Sequence, residues 1–244
     1  LHTVLSSIRK AISSHSRTDR EFWVYNNSPQ VAIVAWRMFL TKTITELLTS
    51  EGLGAIKKYS LRLKDELEFI CSRISEMSRL KPTNDYLKLQ LWCQELLSTR
   101  ELIRTIVVHS MKTVEDFVWL STPKYYMEDG EVLVKVQNMS ISYGCEYFGE
   151  LHRVARYESF NPLVLQVLTA VEYRSCTCVQ GSYAMGTSES MLELAQSLGK
   201  LTMSVAFAGE TNIELVLALL RGRFTTGCWL LLENIQCLAL SVLS

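Results

Sequence analysis

Through the first half of the chain, apolar positions recur three or four residues apart, the spacing of one face of an α-helix. Thr3 to Ile12 reads as a short first helix. Ser28-Pro29 reads as an N-cap with proline at the first helical position, and Val31, Val34, Ala35, Met38, Phe39, Ile44, Leu47 and Leu48 follow at helical spacing. Gly52 and Gly54 punctuate the pattern. Ile56 to Met77 is amphipathic, with Leu63, Leu67, Ile70 and Ile74 on one side. Lys81-Pro82 breaks the chain, and Thr83 to Met111 makes another long helix carrying Leu87, Leu91, Leu96 and Ile103. Arg62, Lys64, Asp65, Glu66 and Glu68 read as a solvated face, and the aromatic pairs Phe22/Trp23 and Trp36/Phe39 as core.

The period then changes. Val132 to Val136 and Ile141 to Tyr143, joined by Gln137-Asn138-Met139-Ser140, predict a β-hairpin, with a turn at Glu128-Asp129-Gly130 before it. From about Leu163 the order is helix, short strand, glycine loop, helix (Ser188 to Leu198), strand (Leu201 to Phe207), helix (Ile213 to Leu220), strand (Cys228 to Leu232), helix. Such alternation predicts a parallel sheet with crossover helices. The fold class is therefore mixed: an α-helical bundle, a β-hairpin, and a partial α/β parallel-sheet module of the phosphate-loop type. The expected boundaries are 1–125, 126–149 and 150–244.

The chain is organised around Cys176-Thr177-Cys178-Val179-Gln180-Gly181-Ser182-Tyr183-Ala184-Met185-Gly186-Thr187-Ser188-Glu189-Ser190. Gly181 and Gly186 have the spacing of the phosphate-binding loop G-x-x-x-x-G-K-[ST]. In that loop, backbone N–H groups cradle phosphate oxygens and the following helix directs its N-terminal dipole at the anion. Ser188 holds the hydroxyl position that would meet Mg²⁺, but Thr187 stands where the lysine belongs. Glycines at this spacing also occur in α/β loops that bind nothing. A second element reinforces the first. Cys228 to Leu232 is an apolar strand ending in Glu233-Asn234, where phosphate-loop ATPases carry a metal-ordering acid and then a carboxylate that polarises water. Glu233 can offer its carboxylate to Mg²⁺. Asn234 is an amide and cannot act as a general base. Losing the lysine weakens phosphate binding by ~3–5 kcal/mol, by analogy with stranding a partnered charge. Losing the base removes about 10²–10⁴ in rate.

Composition narrows the choice. Lys+Arg and Asp+Glu are both 25, which gives no basic excess to argue for nucleic acid. The seven cysteines form no C-x-x-C pair and suit a reducing compartment. His2, His15, His109 and His152 do not cluster with cysteines, which argues against zinc. Asn26-Asn27-Ser28 and Asn138-Met139-Ser140 match the glycosylation triplet without a signal peptide and read as chance. No apolar run reaches membrane-spanning length; Ile213 to Leu220 is short and broken by Glu214. The chain begins at Leu1 and ends at Ser244 within an apolar helical pattern, so a fragment is expected.

The words of the central region resemble the dynein heavy chain family. Asp116-Phe117-Val118-Trp119-Leu120, Tyr125-Tyr126 and Tyr143-Gly144-Cys145-Glu146-Tyr147-Phe148-Gly149 are similar to the family's D-F-x-W-L, R-Y-Y and Y-G-Y-E-Y-L-G at the join of linker and first AAA module. Arg20-Glu21-Phe22-Trp23-Val24 and Pro29-Gln30-Val31 resemble the linker's R-x-x-W-V and P-x-Q-V. The departures fall together: G-P-A-G-T-G-K-T-E-T becomes Gly181 to Ser190, F-D-E-F-N becomes Leu232 to Gln236, and R-L-V-I-T-P-L-T keeps only Arg153, Val154 and Ala155. This pattern looks like a divergent branch of the family more than a working axonemal or cytoplasmic motor.

The resemblance implies that 1–125 is the carboxy-terminal part of the linker, 126–149 the junction, and 150–244 the start of a degenerate AAA+ module. Its nucleotide positions would be Gly181, Ser182, Gly186, Thr187, Ser188, Glu189, Val154 and Ala155, with Ser188 and Glu233 for Mg²⁺ and no catalytic residue. ATP or ADP with Mg²⁺ would bind weakly or not at all. Partners would be other dynein-complex subunits and the rest of the AAA ring, with microtubules met only through regions elsewhere, and with no nucleic acid and no membrane. The setting would be cytoplasm and cytoskeleton, in the axoneme of a cilium or flagellum. The leading expectation is a non-hydrolysing scaffold. The alternative is an active ATP-driven microtubule motor with an atypical site, in which Arg153 or Arg156 replaces the lysine; Lys200 lies at the far end of the loop's helix. Nucleotide held as a structural ligand and a ligand-free helical module are the remaining readings.

Overall fold

The computed structural model describes residues 2–15, 17–79, 83–111, 113–149, 160–182, 185–208 and 211–239. The fold is mixed, with long helices and two small sheets. It divides into two compact units, Leu1–Tyr143 with Ala155–Cys178, and Gly144–Val154 with Val179–Ser244.

The first unit is built on α3 (Pro29–Ser50), preceded by α1 (His2–Ser14) and α2 (Arg20–Asn26) and followed by α4 (Leu53–Ser78) and α5 (Asn84–Val108). Pro29 opens α3 as its spacing predicts, with Ser28 in extended backbone at the N-cap. Every residue from Gln30 to Met38 is buried, so this helix is enclosed on all sides rather than on one stripe. Of the two expected glycine breaks, Gly52 caps α4 at φ 72° while Gly54 lies inside it. Thr83 caps α5, its hydroxyl accepting from the Tyr86 N–H at 3.3 Å.

The buried stripe of α5 is Leu89, Trp92, Leu96, Thr99, Ile103 and Ile106, so Leu87, expected inside, is exposed. Phe22 is exposed as well, and only Trp23 of that pair enters the core. The two residues point a helical turn-fraction apart, so one helix face cannot bury both. Glu66, expected on a solvated face, is half-buried and paired with Arg20 at 2.5 Å.

An aromatic cluster fills this core. Trp92 meets Trp23 and Trp36 edge-on, with ring centroids 5.8 and 5.3 Å apart. His15 stacks on Phe39 at 3.9 Å and meets Trp23 edge-on at 5.1 Å. Burial, and then the nearby Arg20 charge, lower the His15 pKa to about 4. The unfolded chain therefore binds this proton more readily, at the ordinary value near 6.5. The neutral ring contributes stability that is present above pH 6.5 and is lost as pH falls towards 4. With solvent reaching the half-buried ring, the loss is on the order of 1–2 kcal/mol. Urea unfolding between pH 7 and pH 4 should show it, and His15→Phe should flatten that part of the profile. An unchanged profile would show that other groups set the acid sensitivity.

After the short α6 (Phe117–Leu120) come β1 (Lys124–Glu128), β2 (Glu131–Val136) and β3 (Met139–Ser142), an antiparallel meander. The expected hairpin is present as β2–β3, with a turn of only Gln137-Asn138 because Val136 pairs with Met139. β1 is an additional strand. It joins β2 through Asp129-Gly130, both at positive φ (49° and 80°), which matches a two-residue type I′ turn. α7 (Phe160–Glu172) buries Val164, Val167 and Leu168 and belongs to this unit.

The second unit holds α8 (Thr187–Ser197), β4 (Thr202–Ala206), α9 (Ile213–Thr226) and β5 (Trp229–Glu233). β4 and β5 pair in parallel, Thr202 opposite Trp229 and Ala206 opposite Glu233, with α9 as the crossover. The expected strand before the glycine loop is not formed. Cys176, Thr177 and Cys178 are exposed, and among the described residues β4 and β5 have only each other as ladder partners. An extended segment without a partner makes no ladder, whatever its composition. The expected helix after β5 is a short turn, α10 (Ile235–Cys237, of 3₁₀ type), and residues 240–244 lie outside the described residues.

Candidate functional site

The glycine loop enters α8 as the spacing predicts. Gly186 is the N-cap, in the left-handed region at φ 69° and ψ 30°, a conformation that favours glycine. The Ser190 hydroxyl turns back and donates to the Gly186 carbonyl at 2.7 Å. Thr187 and Ser188 are half-buried in the first turn, and Glu189 is exposed there. A Cβ built on Gly181 would lie 2.7 Å from Thr187 Cγ2, so the threonine methyl rests against the loop. The side chain at the lysine position is thus short, neutral and folded onto the glycine beside it.

Between Gly181 and Ser190 the only charged residue is Glu189. A carboxylate in the first turn favours the helix dipole and competes with an incoming anion for the same N–H groups. Gly186 thus turns the chain into α8, and the charge its neighbours carry is negative, the sign that opposes a triphosphate.

Glu233 ends β5. Its Oε1 accepts a hydrogen bond from the Ser204 hydroxyl on the same face of β4, and its carbonyl accepts from Phe207 N–H at 3.0 Å. Asn234 follows in the left-handed region at φ 56°, which an asparagine tolerates. Its amide is exposed. Among the described residues, no group of three or more His, Cys, Asp or Glu could hold a metal ion. Ser188 and Glu233 are each at the end of the element where the sequence puts them, and Glu233 is already engaged by Ser204. These side chains do not fit Mg²⁺–ATP as they stand: no Lys or Arg occurs between Gly181 and Ser190, and the Glu233 carboxylate already accepts from Ser204. Val154 and Ala155, the expected adenine-side residues, and Arg153 and Arg156 lie outside the described residues, as do Tyr183 and Ala184 of the loop.

The segment Gly144 to Gly149 belongs to this unit and grips the far end of α8. Gly144 N–H donates to the Leu198 carbonyl at 2.8 Å and Glu146 N–H to the Gly199 carbonyl at 3.1 Å. The Glu146 carboxylate accepts from Leu201 N–H at the entry to β4. A Cβ on Gly144 would sit 2.4 Å from the Gly199 oxygen, closer than any side chain allows. Two backbones meet here, which is why this word of the sequence begins with glycine.

Comparison with known proteins shows what this chain is similar to. Residues 143–244 match the family described as the hydrolytic ATP binding site of the dynein motor region. The human dynein axonemal heavy chain 1 is 22% identical over 239 residues, covering 97% of this chain and 5% of that protein. Over residues 143–244, and at low identity along its whole length, the chain is similar to dynein heavy chains. Human dynein axonemal heavy chain 12 is 22% identical over 250 residues, covering all of this chain and 8% of its own length. The dynein beta chain of the flagellar outer arm from Chlamydomonas reinhardtii is 21% identical over 238 residues, 97% of this chain and 5% of that one. The chain therefore spans well under a tenth of the dynein heavy chains it matches. No helix among the described residues is long and apolar enough to cross a membrane.

The residues that reading by motif missed are Arg37, Glu95 and Tyr125. Arg37 donates from Nε and Nη2 to the two Glu95 oxygens at 2.8 and 3.1 Å, and from Nη1 to the Tyr125 hydroxyl at 2.9 Å. All three are buried. Thr41 extends the network, accepting from Tyr125 N–H at 3.1 Å while its hydroxyl donates to the Arg37 carbonyl at 2.7 Å. The clasp ties α3, α5 and β1 together. The available signal was an arginine inside the apolar run of Val31 to Met38.

Proposed function

We propose that this chain is a non-hydrolysing, structural part of a dynein-type, microtubule-associated assembly, with a degenerate first ATP site. The observation that carries the reading is Thr187: a neutral side chain at the lysine position, its methyl 2.7 Å from where a Gly181 side chain would begin. Asn234 supports it, because an amide at the base position cannot take a proton from water. In this reading residues 1–125 serve as part of the linker, 126–149 as the junction and 150–244 as the start of the module. Gly181, Ser182, Gly186, Ser188 and Glu189 hold the positions of a nucleotide loop without the charge that makes it bind, and Val154 and Ala155 the positions of its adenine side in the sequence. Its partners are other dynein subunits and the neighbouring parts of an AAA ring. The axonemal and flagellar relatives favour a cilium or flagellum as its setting.

Titration calorimetry of the chain with Mg²⁺–ATP tests this. The expected result is no saturable heat at millimolar nucleotide, with the chain folded by circular dichroism. Binding in the micromolar range would overturn the reading, and would direct attention to Arg153 and Arg156 as the source of the missing charge.

A further inference from the structure

Cys71 on α4 and Cys93 on α5 face each other across the helical hairpin, with their sulfurs 3.8 Å apart. Cys71 is exposed and Cys93 half-buried. The other five cysteines are Cys145, Cys176, Cys178, Cys228 and Cys237. The two sulfurs are already at hydrogen-bond distance, and a covalent bond needs them to close by less than two ångströms, to the ~2.05 Å of a disulfide. Rotation about the two Cα–Cβ bonds is the motion that brings two such sulfurs together.

We propose that Cys71 and Cys93 form a reversible disulfide under peroxide, a modification site that clamps α4 to α5. The exposed Cys71 reacts first. Its thiolate attacks one peroxide oxygen, the O–O bond breaks, hydroxide leaves, and Cys71 becomes a sulfenic acid. The Cys93 sulfur then attacks the Cys71 sulfur, the S–S bond forms, the S–O bond breaks, and the Cys93 proton leaves with the departing oxygen as water. Overall the two thiols lose two electrons and two hydrogens, and hydrogen peroxide is reduced to two waters. A dithiol reductant reverses the step by exchange. Burial, and then the hydrogen bond with Cys71, push the Cys93 thiol up to about 11, so it holds its proton until the second step. This fixes the order: Cys71 is the attacking residue and Cys93 the resolving one. The bond closes a loop from Cys71 to Cys93 around the α4–α5 connection, which restricts the unfolded chain and stiffens the hairpin.

The test is to treat the full chain with a slight molar excess of hydrogen peroxide, block free thiols, and digest without reductant. The expected product is a peptide linking Cys71 to Cys93 within one chain, with the remaining five thiols still alkylated, and full reversal by dithiothreitol. The melting midpoint should rise on the order of 5–10 °C on oxidation. Cys93→Ser should leave Cys71 as a sulfenic acid that a cyclic dione traps, while Cys71→Ser should leave Cys93 unmodified. Cys71 is exposed, so its serine variant keeps the fold and makes the second arm a fair control. Full alkylation of both residues after peroxide, or cross-links that run only between chains or only through Cys176 and Cys178, would overturn the proposal. An unchanged or lowered midpoint in the linked protein would overturn the clamp.

Discussion

Replacing Arg37 with methionine should destabilise the helical unit by about 3–5 kcal/mol, the usual cost of leaving one partner of a buried ion pair without the other. The Arg37 and Glu95 side chains are only 7% and 4% exposed, so the carboxylate left behind has almost no water to turn to. The Tyr125 hydroxyl loses the Arg37 hydrogen bond in the same step. Glu95→Met strands the guanidinium instead and should cost a similar amount. The double variant removes both charges and fills the space with apolar atoms, so it should recover most of the loss. Such recovery is what distinguishes a desolvated pair from two independent contacts, because contacts that do not interact would add. Urea unfolding followed by tryptophan fluorescence reads this out well. Trp23, Trp36, Trp92 and Trp119 lie in this unit and only Trp229 in the other. Single variants that unfold at the wild-type midpoint would show that solvent reaches the pair after all.

That clasp also marks where sequence reading stops. The helices of the first unit were legible because their apolar periods are long and their caps are explicit, as at Ser28-Pro29 and Thr83. The phase of α5 was legible in its second half, where Leu96 and Ile103 are buried as expected, and not at its start, where Leu87 is exposed. Its buried face passes through Glu95 and Thr99, and a stripe that includes an acid and a hydroxyl does not register as apolar. At the start of the helix Leu87 and Leu91 carry the apolar spacing instead, a fraction of a turn away from the buried Leu89 and Trp92. β1 was missed for a similar reason. Lys124 and Glu128 bracket it, and Lys124 is buried with its ammonium donating to the Trp119 carbonyl at 3.3 Å, a partner that no local pattern announces. The glycine loop was legible as a turn into a helix, since Gly186 and α8 depend on neighbouring residues alone. The strand before it depends on a partner strand, which composition cannot supply.

The same division between shape and charge sets the last expectation. Thr187→Lys should tighten Mg²⁺–ATP binding by about 10²–10³-fold over the wild-type chain. Two backbone features around this position favour an anion: Gly186 holds φ 69°, and α8 begins at Thr187. What is absent is one positive charge, and an ammonium on a long flexible stem reaches beyond the Gly181 contact that the Thr187 methyl makes. Glu189 works against the gain, so Thr187→Lys combined with Glu189→Gln should bind more tightly still. Neither variant should hydrolyse the nucleotide, because Asn234 still stands where a base is needed. Calorimetry with each variant measures the affinity, and phosphate release measures turnover. A lysine variant that binds no better than wild type would mean that the loop has lost its shape as well as its charge. Tight binding with measurable turnover would mean that a base other than residue 234 serves the attacking water, and the scaffold reading would fall with it.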